Sequence, residues 1–285
     1  MDPTALAGVE FDLTLPSGQL HGKRFGNRDA PLALCLPGLS ANMLSFDFLC
    51  ERIAGDQLHT VALDLRGRGK SEVTPPGTYG WEHHARDVVA VADALGFERF
   101  SILGQSMGGA VAMTAASQAE GRLDRVVLLD ICGTPDAASL TAIETSVNRL
   151  GQTFPSVDVY IGAVRAMGLI EPWSDYWERY FHYELEPVEG GVRARSDRAA
   201  VIEDYTYGKD RDPYSLWAFL TMPVLLLRAS REILPGLGRI VSDADRSRFP
   251  RDVPSATVVD IDANHYTVNT SADSAAAIRD FYSLR

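Results

Sequence analysis

Apolar positions along this chain fall into short runs separated by longer stretches with helical spacing. Residues 10–15 and 19–25 read as two strands turned by Pro16-Ser17-Gly18, which predicts a hairpin. Beyond it, residues 32–36, 60–63, 99–103, 125–129, 224–228 and 257–261 are strand-length runs rich in apolar side chains. Between them, residues 45–53, 81–95, 107–117 and 271–282 read as helices. Strands that are apolar at nearly every position, and that alternate with helices, predict a mostly parallel sheet covered on both faces. The sequence contains neither internal repeats nor low-complexity tracts.

One junction in that pattern carries chemistry. Residues 102–110 place Ser106 in the spacing Gly-x-Ser-x-Gly, after the strand run 99–103 and before the small-residue run 110–116. In that context the chain reverses sharply, strains the serine backbone and pushes its hydroxyl out of the sheet. Gly104, Gly108 and Gly109 keep side chains out of the space where strand and helix meet. The helix start also aims free N–H groups at whatever binds there. A tight turn with an incidental serine is the alternative, and the flanks favour a nucleophile.

A serine hydroxyl needs a base to take its proton. Of the six histidines, His21, His59, His83, His84 and His182 read as structural or surface residues. His265 differs: it follows the run 257–261 across Asp262-Ala263-Asn264 and precedes the last helix. That puts it at the C-terminal end of a late strand, the edge where open α/β sheets gather ligands.

On these motifs the chain resembles the α/β-hydrolase family. Leu34 to Ser40, with Pro37-Gly38 where the family usually has His-Gly, resembles the oxyanion loop after the third strand. Asp64 to Ser71 resembles the Asp-x-Arg-Gly-x-Gly-x-Ser loop after the fourth. Gly104 to Gly108 resembles the nucleophile elbow, and Asn264-His265-Tyr266 the histidine loop. The resemblance implies an α/β fold of the α/β-hydrolase kind: a mostly parallel central sheet, helices on both faces and an inserted helical cap. It also implies Ser106 as nucleophile, His265 as base, and an oxyanion hole from the backbone N–H groups of Leu39 and Met107.

The acid that orients the histidine has two candidates. The family most often carries it in the loop after the strand that follows the cap, where this chain has only Glu232. Some relatives move it to the end of the earlier strand and place a serine in the usual loop, and the pair Asp130 and Ser230 fits that variant. Asp130 is preferred, with Ser230 in support and Glu232 as the alternative.

Between residues 134 and 221 the pattern changes to one rich in aromatics and arginines, without clean strand alternation apart from a short hairpin turned by Glu189-Gly190-Gly191. This stretch is expected to be a helical cap inserted in a core of residues 1–133 and 222–285. Trp173, Tyr176, Trp177 and Tyr180 share one helix face, which either packs on the core or walls a pocket. Arg149, Arg165, Arg179, Arg193, Arg195 and Arg198 read as mostly solvated, although one turned inward would pair with a substrate carboxylate.

The expected function is a serine hydrolase that cleaves a small carboxylic ester, lactone or thioester through an acyl-enzyme. A serine at position 106 disfavours haloalkane dehalogenase and epoxide hydrolase chemistry, whose nucleophile is an aspartate. The Asp130 and Ser230 arrangement also resembles the acetamidomethylene-succinate hydrolases of vitamin B6 breakdown, which suggests as the alternative a hydrolase of C–C or amide bonds in a small dicarboxylate. A non-enzymatic ligand receptor on the same fold is the third reading.

Composition narrows the partners. At 285 residues, 46% hydrophobic and 23% charged, the chain reads as one large globular domain or one with an insertion. A net charge of −11 argues against nucleic acid or an anionic membrane surface. No apolar run is long enough to span a bilayer. Residues 1–6 lack the blocks of a secretion signal, so a cytoplasmic location is expected. Cys35, Cys50 and Cys132 read as buried thiols with neither disulfide nor metal spacing. No cofactor and no metal are expected; the partners are a small-molecule substrate and, at most, a second copy in a homodimer.

Overall fold

A computed structural model describes residues 7–284, so the N-terminal residues 1–6 read above lie outside the described residues. The hairpin forms as β1 (Val9–Leu15) and β2 (Gly18–Phe25), paired antiparallel. Next come β3 (Leu32–Leu36), α1 (Asp47–Ile53), β4 (His59–Leu63), α2 (Trp81–Ala94), β5 (Phe100–Gln105), α3 (Met107–Gln118) and β6 (Leu123–Leu129). An inserted segment follows, with α4 (Ala137–Asn148), α5 (Val157–Ala166), α6 (Asp175–Glu184), the hairpin β7 (Leu185–Val188) and β8 (Gly191–Ala194), and α7 (Arg198–Lys209). The chain then returns as β9 (Val224–Ala229), α8 (Asp243–Asp252), β10 (Ala256–Ile261) and α9 (Ala272–Tyr282).

The sheet order is β1-β2-β4-β3-β5-β6-β9-β10, and every pair from β4 to β10 is parallel. Strands β3, β4, β5 and β9 are buried at each position, which only a sheet covered on both faces permits. Alternation within one strand divides the core. Leu32, Leu34 and Leu36 of β3 face a cluster built with α2, α3 and Phe249 of α8, while Ala33 and Cys35 face one built with α1 and α9.

Element boundaries differ from the sequence pattern by a residue or two in several places, and two of these differences follow from capping. The helix expected over 45–53 begins as a 3-10 turn, Met43–Phe46, because the Asn42 side chain accepts from Leu44 N–H. Ser271 caps α9 by accepting from Asp273 N–H, so the helix proper starts one residue later.

The segment between β6 and β9 builds its own apolar cluster, which includes Tyr160, Ile161, Trp177, Tyr180 and Phe181. Asp136, Ser156 and Asp197 side chains cap α4, α5 and α7. Within the stretch 134–221, the turn Pro213–Phe219 packs with the sheet layer: the Trp217 indole N–H donates to Cys132 O at 2.6 Å, and its ring lies 5.0 Å from that of Phe249. Cys35, Cys50 and Cys132 are free and buried. No helix among the described residues is long and apolar enough to cross a membrane.

Candidate active site

Ser106 sits between β5 and α3 with φ 54° and ψ −122°, a left-handed conformation that costs a non-glycine residue energy. The turn holds because the two neighbouring elements nearly touch. A Cβ on Gly104 would lie 2.3 Å from Gly108 O, and one on Gly108 would lie 2.1 Å from Leu36 O. Backbone atoms on both sides leave no room for any side chain there. Ser106 N–H is tied to Leu129 O at 3.2 Å, which anchors the elbow to the neighbouring strand.

Asp130, at the end of β6, also has a positive φ, 52°. His265 Nδ1 donates to Asp130 Oδ2 at 2.9 Å, and Ala229 N–H donates to Asp130 Oδ1 at 3.0 Å. Both residues are buried, Asp130 at 1% exposure and His265 at 6%. Asn264 fixes the histidine loop: its Oδ1 accepts from the N–H groups of Tyr266 and Thr267, and its Nδ2 donates to Leu169 O at 2.8 Å.

Gln105 was not singled out by its sequence position, yet its side-chain amide lies 3.2 Å from His265 Nε2 and 3.3 Å from His265 O. The carbonyl requires the NH2 end of the amide to point that way. His265 Nε2 is then the acceptor, and the ring proton sits on Nδ1 facing Asp130. That is the tautomer a general base needs, with Nε2 free of a proton, on a residue that lines the same cavity as Ser106.

The structure brings together Ser106, Asp130 and His265, and leaves Glu232 apart. Glu232 is exposed and accepts from Gly236 N–H at 2.9 Å. Ser230 is half-buried, and its N–H donates to Ile261 O; the bond to the second oxygen of Asp130 comes from Ala229 beside it. Among the other histidines, His21 lies between Asp12 and Glu10, and His84 Nε2 faces Asp204 Oδ2 at 2.9 Å.

Ser106, Gln105 and His265 open on a cavity of about 290 Å³, with Leu39 and Met107 on its wall. Most of its lining is apolar and comes from both layers, for example Trp81, Ile131, Ile143, Leu169 and Phe181. Trp177 and Tyr180 serve both readings of their helix face, since they belong to the inserted segment's cluster and also line the cavity. Trp173 and Tyr176 face elsewhere, donating to Glu178 Oε1 and Leu44 O. Of the six arginines named from the sequence, Arg149 lines the cavity; its Nη1 donates to Glu184 Oε1 at 2.7 Å. Burial pushes the Glu184 carboxyl up, against the pull of Arg149. Arg165 and Arg193 pair with Glu178 and Glu186 on the outside.

A strained serine at a strand-to-helix elbow, a buried histidine–carboxylate pair and this sheet order define the class of fold as that of the α/β-hydrolases, and the family described as alpha/beta hydrolase fold matches residues 31–150. Among curated proteins it is similar to N-formylmaleamate deformylase of Pseudomonas putida, 39% identical over 110 residues, 39% of this chain and 40% of that one. A serine hydrolase-like protein of Danio rerio is 37% identical over 128 residues, 45% of this chain and 39% of that one. The chain thus spans about two fifths of the length of these two relatives. A match along more of the chain is with 2-(acetamidomethylene)succinate hydrolase of Mesorhizobium japonicum, 27% identical over 243 residues, 85% of this chain and 84% of that one. In fold it resembles the crystal structure of E-2-(acetamidomethylene)succinate hydrolase, with TM-score 0.85 at 24% identity over 97% of this chain and 100% of that one.

Proposed function

We propose that this chain is a serine hydrolase of small acyl substrates, cleaving an ester, lactone or thioester through an acyl-Ser106 intermediate. The carrying observation is the bonded series Asp130–His265–Gln105 beside the strained Ser106, on one largely apolar cavity. Ser106 Oγ attacks the carbonyl carbon while His265 Nε2 takes its proton, and Asp130 stabilises the imidazolium that forms. The Gln105 amide, which occupies the Nε2 lone pair at rest, gives way to the serine hydroxyl in this step. The tetrahedral oxyanion is held by the N–H groups of Leu39 and Met107; losing one such donor typically costs about 2.7–4 kcal/mol. Collapse expels the alcohol or thiol, which takes the proton from His265. Water then attacks the acyl carbon with His265 again as base, and free acid leaves Ser106.

The lining favours a compact apolar or aryl acyl group. A second reading, an amide of a small dicarboxylate, is favoured by Arg149. One of its nitrogens is bonded to Glu184, which leaves the rest of its donor fork for a substrate carboxylate. The names of the deformylase and the succinate hydrolase are in keeping with that class of substrate. The test is a panel of esters, thioesters, lactones and amides, each with and without a free carboxylate. Turnover of short esters, lost in Ser106→Ala with the circular dichroism unchanged, is the expected result; wild-type turnover in that variant would sink the serine mechanism. If a carboxylate raises kcat/KM, Arg149→Lys should remove the gain and spare neutral analogues, because lysine keeps the charge opposite Glu184 and loses the fork.

A further inference from the structure

Two successive carbonyls of the loop that carries Leu39 are held by groups tied to the inserted segment. Arg68 Nε donates to Leu39 O at 3.0 Å, and Ser196 Oγ donates to Ser40 O at 3.1 Å. Ser196 stands just before α7, whose first residues are anchored by Asp197 N–H donating to Gly67 O at 2.8 Å. Arg68 is fully buried, and its guanidinium meets one carboxylate, Asp204 of α7, with Nη2 and Oδ2 2.7 Å apart. Asp204 is itself fixed by Gly80 N–H at 2.6 Å and by His84 Nε2 at 2.9 Å.

A buried guanidinium stays where its counter-charge is, because leaving it unpaired costs several kcal/mol. Arg68 Nη1 also donates to Arg66 O at 3.0 Å, so the place of Arg68 is set by its own loop together with α7, and Arg68 Nε in turn holds the Leu39 carbonyl. The N–H and C=O of Leu39 flank one Cα, so fixing the carbonyl, together with that of Ser40, limits how the N–H can turn. Asp204 and Leu39 line the same cavity.

We propose that Asp204, acting through Arg68, is a positioning residue for the oxyanion hole, so that the Leu39 N–H is aimed only while α7 is seated against the core. This rests on the reading of Leu39 as an oxyanion donor. Neither Asp204 nor Arg68 touches substrate-reacting atoms. Their effect is felt where negative charge develops, in the transition state, and binding of the neutral ground state is left alone.

Asp204→Asn keeps the size of the side chain and an acceptor for Gly80, and removes the charge opposite Arg68. Ser196→Ala removes the bond to Ser40 O by deleting one oxygen. Glu203→Gln is the control: Glu203 lies on the same helix and bonds Gly77 and Tyr79 N–H groups of the core, away from the Leu39 loop. The readouts are kcat and KM for a short aryl ester, the affinity for an aryl trifluoromethyl ketone, which forms a hemiketal oxyanion on the serine, and the affinity for the matching methyl ketone.

Asp204→Asn should lower kcat by about 100-fold, the size of effect an ångström of misplacement produces. It should weaken the trifluoromethyl ketone in parallel and leave KM and the methyl ketone nearly unchanged. Ser196→Ala should shift the same readouts in the same direction by less, and it decides the matter should Asp204→Asn fail to fold. Glu203→Gln should lower Tm at most. Trifluoromethyl ketone affinity equal to wild type in folded Asp204→Asn or Ser196→Ala, or equal losses in all three variants, would overturn the proposal. A wild type whose Ser106 is not acylated fails at the earlier step, which separates that outcome from this one.

Discussion

Asp130 gives one carboxylate oxygen to His265 Nδ1 and the other to the Ala229 N–H, so both are committed to a single orientation of the ring. Asparagine at that position would offer an NH2 group where an acceptor is needed and would favour the wrong histidine tautomer. Asp130→Asn should therefore lower kcat by about 10⁴-fold, the size seen when a triad acid is amidated. Glu232→Gln should change it little, since Glu232 is exposed and bonded to Gly236. Steady-state kinetics on both variants checks this; swapped results would move the acid to the later loop. Ser106 and His265 were legible in the sequence because their signals are local: a glycine-flanked serine after a strand, and a histidine after the last strand. The acid was not settled by sequence, because two loops at the same sheet edge each carry a carboxylate. Gln105 and the inward turn of Arg149 were not legible at all, since spacing does not say where a side chain points.

At the scale of elements, the elbow depends on how closely β3, β5 and α3 approach one another. A methyl on Gly108 would sit 2.1 Å from the Leu36 carbonyl oxygen, a backbone atom that cannot rotate away. Gly108→Ala should destabilise the fold by at least about 1–3 kcal/mol, the usual cost of overpacking. Thermal denaturation should show a Tm clearly below wild type, whereas an unchanged Tm would contradict the packing described. Strands and long helices were readable because burial marks each in its own way: β3, β4, β5 and β9 are buried throughout and read as runs rich in apolar side chains, whereas α2 buries one face and reads as a helical period. The 3-10 turn at Met43–Phe46 was not, because it follows from a single Asn42 cap. The seat of Pro213–Phe219 on the sheet layer was missed for a related reason: Trp217 reads like its aromatic neighbours until its contacts with Cys132 and Phe249 are known.

For the whole molecule, buried carboxyls pull the pH dependence of stability in opposite directions. Burial raises Glu184 above its ordinary 4.5 and Asp64 above its ordinary 3.8, against the pull of Arg149 on the first and of Tyr183 on the second. Their contributions are present below those ordinary values and fade as pH rises through the raised ones. Burial also acts on Asp204, but the charges of Arg68 and His84 and the bonds from His84 and Gly80 outweigh it and hold the group below 3.8. The contribution of Asp204 is therefore present above 3.8 and lost as pH falls through its lower folded value. The Tm gap between wild type and Asp204→Asn should accordingly shrink on going from about pH 7 to about pH 3; a gap independent of pH would contradict the ion pair. All of the proposed chemistry depends on one covalent step, transfer of an acyl group to Ser106 Oγ. The most direct measurement is an acid-quenched reaction with a p-nitrophenyl ester, digested and read by mass spectrometry. The predicted result is the mass of one acyl group on the peptide containing Ser106, absent in Ser106→Ala; sustained ester turnover with Ser106 never acylated would contradict it.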